Sequence, residues 1–360
     1  MPDCQAERLA GELCGAGAGC YENDKGNEGV IMVGIKDVAK AAGVSVSTVS
    51  NALNGRKNVG EETRNKILQL CEEMQYFPNA AGKNLKSGTS NTILFNFSDF
   101  DRSFYLKIIE GINDYANANN FDLMICTNKS CEKYMRSNLT SGCITLDVKM
   151  GNEVMNRAAN ENYPIVVLDR VLDNPHIKSI VVNNYDPMVE MLQGVVDRGY
   201  RRFSFLGGLE STDDNSERYQ AFLDVMEKNS IPFQRRNYYS GDYREKSGYT
   251  AAKIMTLSGE VPEVIVCAND NMAIGAIRAF HESGLRVPQD VAVTGFDDCD
   301  LAEAMGLTTV CIPNYERGYM AAQSLVDIIR GNSDMETLKI SASIKWRKSV
   351  GDKRLRNMVK

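Results

Sequence analysis

Apolar positions first fall into a steady rhythm at Ile35. Val38, Ala39 and Ala42, then Val46, Val49, Ala52 and Leu53, recur at spacings of three and four, with Gly43 between the two runs. That is the period of one helix face, so two short helices joined by a tight turn are expected. A third helix is predicted from about Glu61 to Gln75, with Ile67, Leu68, Cys71 and Met74 on its apolar side and Pro78 ending it. Asn79 to Ser90 is polar, small and lysine-bearing, and is expected to be a linker.

Beyond Thr92 the texture changes to short β-rich runs alternating with amphipathic stretches. Strands are expected at Thr92–Phe97, Phe121–Cys126, Gly142–Leu146, Pro164–Leu168, Ile180–Val182, Arg202–Leu206, Val264–Ala268, Val291–Gly295 and Thr309–Cys311. Helices are expected at Phe104–Asn117, Met188–Gly199, Glu217–Lys228, Lys246–Leu257, Asn271–Ser283 and Tyr315–Gly331. Strand–helix alternation of this kind builds parallel, doubly wound sheets. Its extent and the absence of a long breaker imply two such lobes.

Composition narrows the class. With 43% apolar and 24% charged residues the chain has the balance of an ordinary soluble protein. No apolar run nears the roughly 18–20 residues of a membrane helix, and the N-terminus has neither the basic start nor the apolar stretch of a secretory signal. A cytoplasmic location is expected. The ten cysteines form no CxxC pair and no metal-ligand spacing with His176 and His281, so reduced thiols and no metal or cofactor are expected. Residues 1–31 are Gly-, Ala- and Glu-rich and aperiodic, read either as a disordered extension or as upstream sequence translated ahead of a start at Met32.

The net charge of −6 argues against a nucleic-acid binder only as an average. Residues 33–91 carry Lys36, Lys40, Arg56, Lys57, Arg64, Lys66, Lys83 and Lys86 against Asp37, Glu61, Glu62, Glu72 and Glu73, so this stretch is positive. Phosphate binding depends on local charge, not on the total.

The run Ala42-Gly43-Val44-Ser45-Val46-Ser47-Thr48-Val49-Ser50 holds the strongest signal. Gly43 allows the turn, and Ser45 is placed to cap the second helix and direct its first turn toward a major groove. Ile35 to Asn54, with Val59, Thr63-Arg64 and Tyr76-Phe77-Pro78-Asn79, closely resembles the headpiece of the lactose-repressor/galactose-repressor (LacI/GalR) family of bacterial transcriptional regulators. The resemblance implies that Val46, Ser47 and Asn51 read bases in the major groove, and that Ser45, Thr48, Ser50, Asn54 and Thr63 contact the DNA backbone. Asn51 stands where many relatives carry Arg; Asn pairs with adenine, Arg with guanine. The resemblance also implies a hinge helix over the minor groove, with Asn79, Lys83 and Leu85 as its contacts and Leu85 as the wedge that kinks the duplex. Lys83 replaces the usual Arg, and Gly82 replaces Ala at a cost of roughly 1 kcal/mol to a helix.

The resemblance continues through Pro164–Arg170, Glu217-Arg218, Ala268–Gly275, Gly284–Val291, Gly295–Asp298 and Leu307–Val310. It implies a two-lobed core like that of periplasmic sugar-binding proteins, crossed near Asn183, Pro313 and Ser341. The implied domains are a headpiece at 32–77, a hinge at 78–91, a core at 92–349 and a tail at 350–360. Within the core, an N-lobe takes 92–182 and 314–341, and a C-lobe takes 183–313 and 342–349. Parallel-sheet ligands bind beyond the carboxyl ends of strands, here between the lobes. Phe104, Arg170, Arg218, Tyr243, Asn269 and Asp297 are the candidate effector residues: Phe104 and Tyr243 for stacking, the others for polar contacts. Asp270 is expected to cap the helix that follows it. A sugar is the expected effector, with a nucleobase or nucleoside as its rival, because three departures keep relatives from fixing its identity: Arg102-Ser103 replaces Asn-Pro, the unit from Cys131 to Gly142 is short, and Asn183 replaces Asp.

The implied function is a regulator, expected to repress, that binds a pseudo-palindromic operator as a homodimer under control of a small-molecule effector. The ten residues from Gly351 are too few for tetramerising heptads. A solute-binding protein without a DNA role is the alternative, and the helix-turn-helix argues against it. No enzyme is expected: there is no Gly-x-Ser-x-Gly, no P-loop and no Gly-x-Gly-x-x-Gly opening a helix.

Overall fold

The three-and-four spacing after Ile35 folds as helices α1 (Ile35–Ala42), α2 (Val46–Leu53) and α3 (Glu61–Glu73). The computed structural model describes residues 33–77, 90–98, 100, 104–127, 130–137, 139–332 and 335–354. The expectations for residues 1–31 and for Asn79, Lys83 and Leu85 of the hinge lie outside them. The chain divides into two units, Met1–Ala80 and Ala81–Lys360.

In the first unit, Val38, Ala39, Ala42, Val49, Ala52, Val59, Ile67 and Cys71 form one buried cluster. Gly43, with φ at 72°, closes α1 in the left-handed conformation, and the Val44 N–H returns to the Ala39 carbonyl. Lys66 places its ammonium on the Ala42 carbonyl, where the end of α1 is negative. One expectation is corrected. Leu68 is exposed, and Leu70 packs against the cluster with Ile67, Cys71 and Met74. The apolar face of α3 therefore runs through Leu70 in place of Leu68.

The second unit is built on two six-stranded sheets. Its elements run β1 (Thr92–Phe97), α4 (Phe104–Ala118), β2 (Asp122–Thr127), α5 (Ser130–Met135), β3 (Cys143–Leu146), α6 (Asn152–Ala158), β4 (Ile165–Val167), β5 (Ile177–Val182) and α7 (Tyr185–Asp197). They continue as β6 (Phe203–Gly207), α8 (Asp213–Lys228), β7 (Tyr238–Ser240), α9 (Glu245–Ser258), β8 (Val264–Cys267), α10 (Asp270–Glu282), β9 (Ala292–Asp297), α11 (Asp300–Ala304) and β10 (Thr308–Cys311). Last come α12 (Asn314–Ile329), β11 (Leu338–Ile340) and β12 (Ser343–Lys345). The first sheet has the order β11-β5-β4-β3-β1-β2 and the second β12-β10-β9-β8-β6-β7. Every pairing is parallel, as expected of doubly wound sheets, except that of the edge strand β12 with β10. The three-residue strands β7, β11 and β12 and the short helices α6 and α11 lie outside the elements expected from the sequence. The short unit at Cys131–Gly142 does hold a truncated helix, α5.

Strand alternation divides the first sheet's residues between two faces. Ile93, Phe95 and Phe97 join the core with Ile108, Ile112, Ala321 and Leu325 of α4 and α12, while Leu94 joins Cys131, Met135 and Met155 on the other side. The second lobe has a larger single core that includes Met188, Phe205, Phe222, Val266 and Phe280. The chain passes between sheets after β5, after β10 and between β11 and β12.

Each lobe is clamped by one pair of helices touching backbone to backbone. A Cβ on Gly111 would fall on the Tyr315 carbonyl and one on Gly318 on the Ile108 carbonyl, joining α4 to α12. Gly248 meets the Met272 carbonyl and Gly275 the Glu245 carbonyl in the same way, joining α9 to α10. Among the described residues no helix is long and apolar enough to cross a membrane, and all seven cysteines are free thiols.

Candidate functional site

The headpiece presents a polar helix face. Ser45 caps α2 by accepting the Thr48 N–H at 3.1 Å, and its hydroxyl also lies 2.7 Å from that of Ser47 and 2.8 Å from that of Thr48. Val49 and Ala52 are buried beneath α2. The opposite side carries Val46, at 40% exposure, with exposed Ser47 and half-buried Ser50 and Asn51. These positions form one strip because residues four apart stack on a helix. Asn54 closes α2, donating to the Ser50 carbonyl at 2.7 Å. Thr63 is half-buried in the first turn of α3. No cation lies on α2 itself; Lys36, Lys40, Arg56 and Lys57 are exposed on the neighbouring segments.

In the second unit the carboxyl ends of both sheets face a cleft. Its inner part is about 40 Å³, lined among others by Ser98, Phe104, Tyr105, Asp169, Asp214, Arg218, Asp297, Asn314 and Arg317. A second crevice of about 220 Å³ shares Phe104, Asp297, Ile312 and Asn314 with it and extends along Asp298–Asp300 and Pro313–Glu316. The smaller cavity holds the denser chemistry, with three carboxylates and two guanidiniums around it.

Arg218 is 4% exposed, and its Nε and Nη2 both donate to Asn184 Oδ1, at 2.9 and 2.8 Å. Its Nη1 reaches the Ala268 carbonyl, and its plane lies 3.7 Å from the centre of the Phe296 ring. Asn184, at the first crossing, also donates to Asp214 at 2.9 Å. Asp297 ends β9 with φ at 114°, an unusual conformation for a residue with a side chain. Phe104 opens α4 half-buried, its ring 4.4 Å from that of Tyr105.

Three expected effector residues are placed elsewhere. Arg170 is absent from the lining of either cavity; all five of its N–H donors are engaged, by Asp169, Asn152 and the carbonyls of Asp147 and Met150. Its neighbour Asp169 faces the cleft instead. Tyr243 is buried in the second lobe's core with its hydroxyl 3.0 Å from that of Thr212. Asn269 is occupied as the cap of α10, accepting the Met272 N–H, and donates to the Tyr243 carbonyl. That also corrects the role expected of Asp270, which does not cap. Its carboxylate accepts from Cys299 N at 2.8 Å and Thr309 Oγ1 at 2.6 Å.

Burial pushes the Asp270 carboxyl up to about 8, and nearby Asp297 and Asp298 add to the shift. Between its ordinary value near 3.8 and about 8, the native chain keeps a proton that the unfolded chain releases. Stability from this group therefore falls as pH rises through that window. Asp270→Asn, which can accept from Cys299 and donate to Thr309, is expected to flatten the pH dependence. Denaturant unfolding at pH 5, 6.5 and 8 checks it; equal slopes in both proteins would contradict it.

Sequence reasoning missed Asp169, Asp214, Asn314 and Arg317. Arg317 is 6% exposed; its Nη2 donates to the Leu168 carbonyl, and its Nε has no partner. Asn314 Oδ1 is likewise buried without a partner.

The sequence matches a family model described as bacterial regulatory proteins, lacI family, over residues 34–79, and a periplasmic binding protein-like domain over 192–350. It is 31% identical over 307 residues to the probable HTH-type transcriptional repressor ExuR of Bacillus subtilis, covering 83% of this chain and 92% of that protein. The chain belongs to the LacI family. This LacI-family regulator is also 28% identical over 333 residues to the HTH-type transcriptional repressor PurR of Pectobacterium atrosepticum, covering 89% and 98% of the two chains. Its fold matches a Lac repressor dimer bound to operator and an anti-inducer with a TM-score of 0.75 at 27% identity, covering 89% of this chain and 99% of the other. The helix-turn-helix unit and the two-lobed core are those of a DNA-binding transcriptional regulator.

Proposed function

We propose that this regulator is a homodimeric repressor of a pseudo-palindromic operator and that a small molecule in the interlobe cleft controls it. The reading rests on one observation: a capped helix turns Val46, Ser47 and Asn51 away from its own core in a chain whose second unit closes two sheets over a polar cleft. In this reading Val46 meets a thymine methyl, Asn51 pairs with adenine, and Ser47 hydrogen-bonds a base edge. Ser45, Thr48, Ser50, Asn54 and Thr63 hold the backbone, and Asn79, Lys83 and Leu85 engage the minor groove. Two-fold symmetry in the protein matches two inverted half-sites, and the similar Lac repressor was solved as a dimer on its operator.

For the effector, Phe104 supplies an aromatic face and Asp169, Asp214 and Asp297 supply acceptors for hydroxyls, which favours a sugar over a nucleobase. The inner cavity of about 40 Å³ has room for a few waters and adjoins the crevice of about 220 Å³ that shares Phe104, Asp297, Ile312 and Asn314 with it. In this reading effector binding changes how the two lobes close on the cleft, and that movement carries the allosteric signal. The role is one of binding without turnover, in the cytoplasm.

The test is operator affinity by fluorescence anisotropy, with sugars and nucleosides that raise the thermal stability of the chain. Coupling energies of 1–3 kcal/mol predict a shift of roughly 5- to 150-fold for the true effector. Affinity indifferent to every stabilising ligand would contradict the reading.

A further inference from the structure

Arg218 and Arg317 line the cleft, Arg170 stands outside its lining, and the three differ in how far their charge is matched. Arg170 uses all five donors and pairs with Asp169. Arg218 makes three hydrogen bonds, stacks on Phe296, and has Asp214 3.9 Å away. Arg317 has one hydrogen bond, to the Leu168 carbonyl. No carboxylate among the described residues comes within ion-pair distance of it, and it is more than nine-tenths buried with its Nε unmatched. Asp214, Asp169 and Asp297 act on it from farther off, against the burial that pushes its basicity down.

A buried cation without a partner costs several kcal/mol unless something pairs with it. Guanidinium presents a planar fork matched to a carboxylate or phosphate. Beside it on α12, the buried Asn314 Oδ1 lacks a donor, which a hydroxyl would supply. The two unmatched groups ask for complementary chemistry: an oxyanion for Arg317 and a hydroxyl for Asn314.

We propose that Arg317 is the anion-recognising residue of the cleft and that the effector is a monosaccharide-sized polyhydroxy anion, carrying a carboxylate or a phosphate. The inference rests on the cleft being the effector site. Asp169 and Asp214 do not bar an anion, because Arg170 holds the first and Asn184 and Arg218 engage the second. Asp169, Asp214 and Asp297 take the hydroxyls of the same ligand, and Phe104 covers its ring.

The experiment is thermal shift followed by calorimetry on the full chain. The probes are glucose, glucuronate, gluconate and glucose 6-phosphate, with the galactose counterparts of each. An acid or a phosphate is expected to bind where its neutral parent does not, and which of the two binds identifies the oxyanion. Arg317→Met should weaken that binding about 100-fold or more, and Arg317→Lys less, since it keeps charge and loses the fork. The free Arg317→Met protein should be as stable as the parent or more so, because a lone buried charge is removed. Three results would overturn the proposal: no anion in the series binds, a neutral sugar binds as well as its acid with Arg317→Met indifferent, or Arg317→Met unfolds the free chain. A neutral sugar lost in Phe104→Ala and kept in Arg317→Met sinks the anion alone. A binder unaffected by both substitutions sinks the cleft itself.

Discussion

Gly318→Leu is expected to destabilise the first lobe strongly. The helices α4 and α12 meet where Gly318 and Gly111 let each backbone reach the other, and a Cβ on Gly318 lands on the Ile108 carbonyl. A backbone carbonyl cannot swing aside as a side chain can, so the helices must separate. The core between them holds Ile108, Ile112, Ala321, Ala322 and Leu325, and separation opens all of it. The cost is about 3 kcal/mol or more, a fall of roughly 6–12 °C in Tm for a unit of this size. Any helix-propensity gain over glycine is about 1 kcal/mol and does not offset this. Gly151→Ala is the control: a Cβ there meets nothing within 4 Å and the backbone is extended. It should leave Tm unchanged. A Gly318→Leu protein melting with the parent would show that the two helices do not touch as described.

The second large effect concerns base choice. Asn51→Arg is expected to move preference at one position per half-site from adenine to guanine, since Asn matches adenine N6/N7 and Arg matches guanine O6/N7. Each good bidentate pair is worth roughly 1–3 kcal/mol of discrimination, so the switch should be about 10-fold or more. The substitution lies opposite Val49 and Ala52, the buried side of α2, so headpiece stability should hold. Relative affinities for operators differing at that base pair check it, and an unchanged ranking would remove Asn51 from the reader.

What was legible from residues alone follows from the range of each signal. The headpiece was readable because its information is local: a glycine at positive φ, a serine cap, and apolar residues three and four apart. The one error there, Leu68 for Leu70, arose because α3 carries leucine at both places and only packing against α1 and α2 decides between them. The longer strands and the buried run around Ile165–Val167 were legible, while three-residue edge strands such as Tyr238–Ser240 are too short and too exposed to stand out.

The cleft was legible only in part, for the same reason. Arg218, in the second turn of α8, and Asp297, the last residue of β9, line the cleft and were legible through the resemblance. Arg170 was chosen where Asp169 faces inward, a one-residue error that reverses the side. Asn269 follows the end of β8 but lines neither cavity and spends its side chain capping α10. Asn314 and Arg317 were invisible because α12 reaches the cleft through a crossing of the chain, and nothing in the local pattern records what lies across from it.

The most direct test of the central claim is selection of DNA from a randomised duplex pool by the full chain, followed by sequencing of the bound fraction. The account predicts two inverted half-sites about a common centre, each with an adenine that Asn51→Arg replaces by guanine. Recovery of no enriched sequence, or of a single unrepeated site, would contradict it.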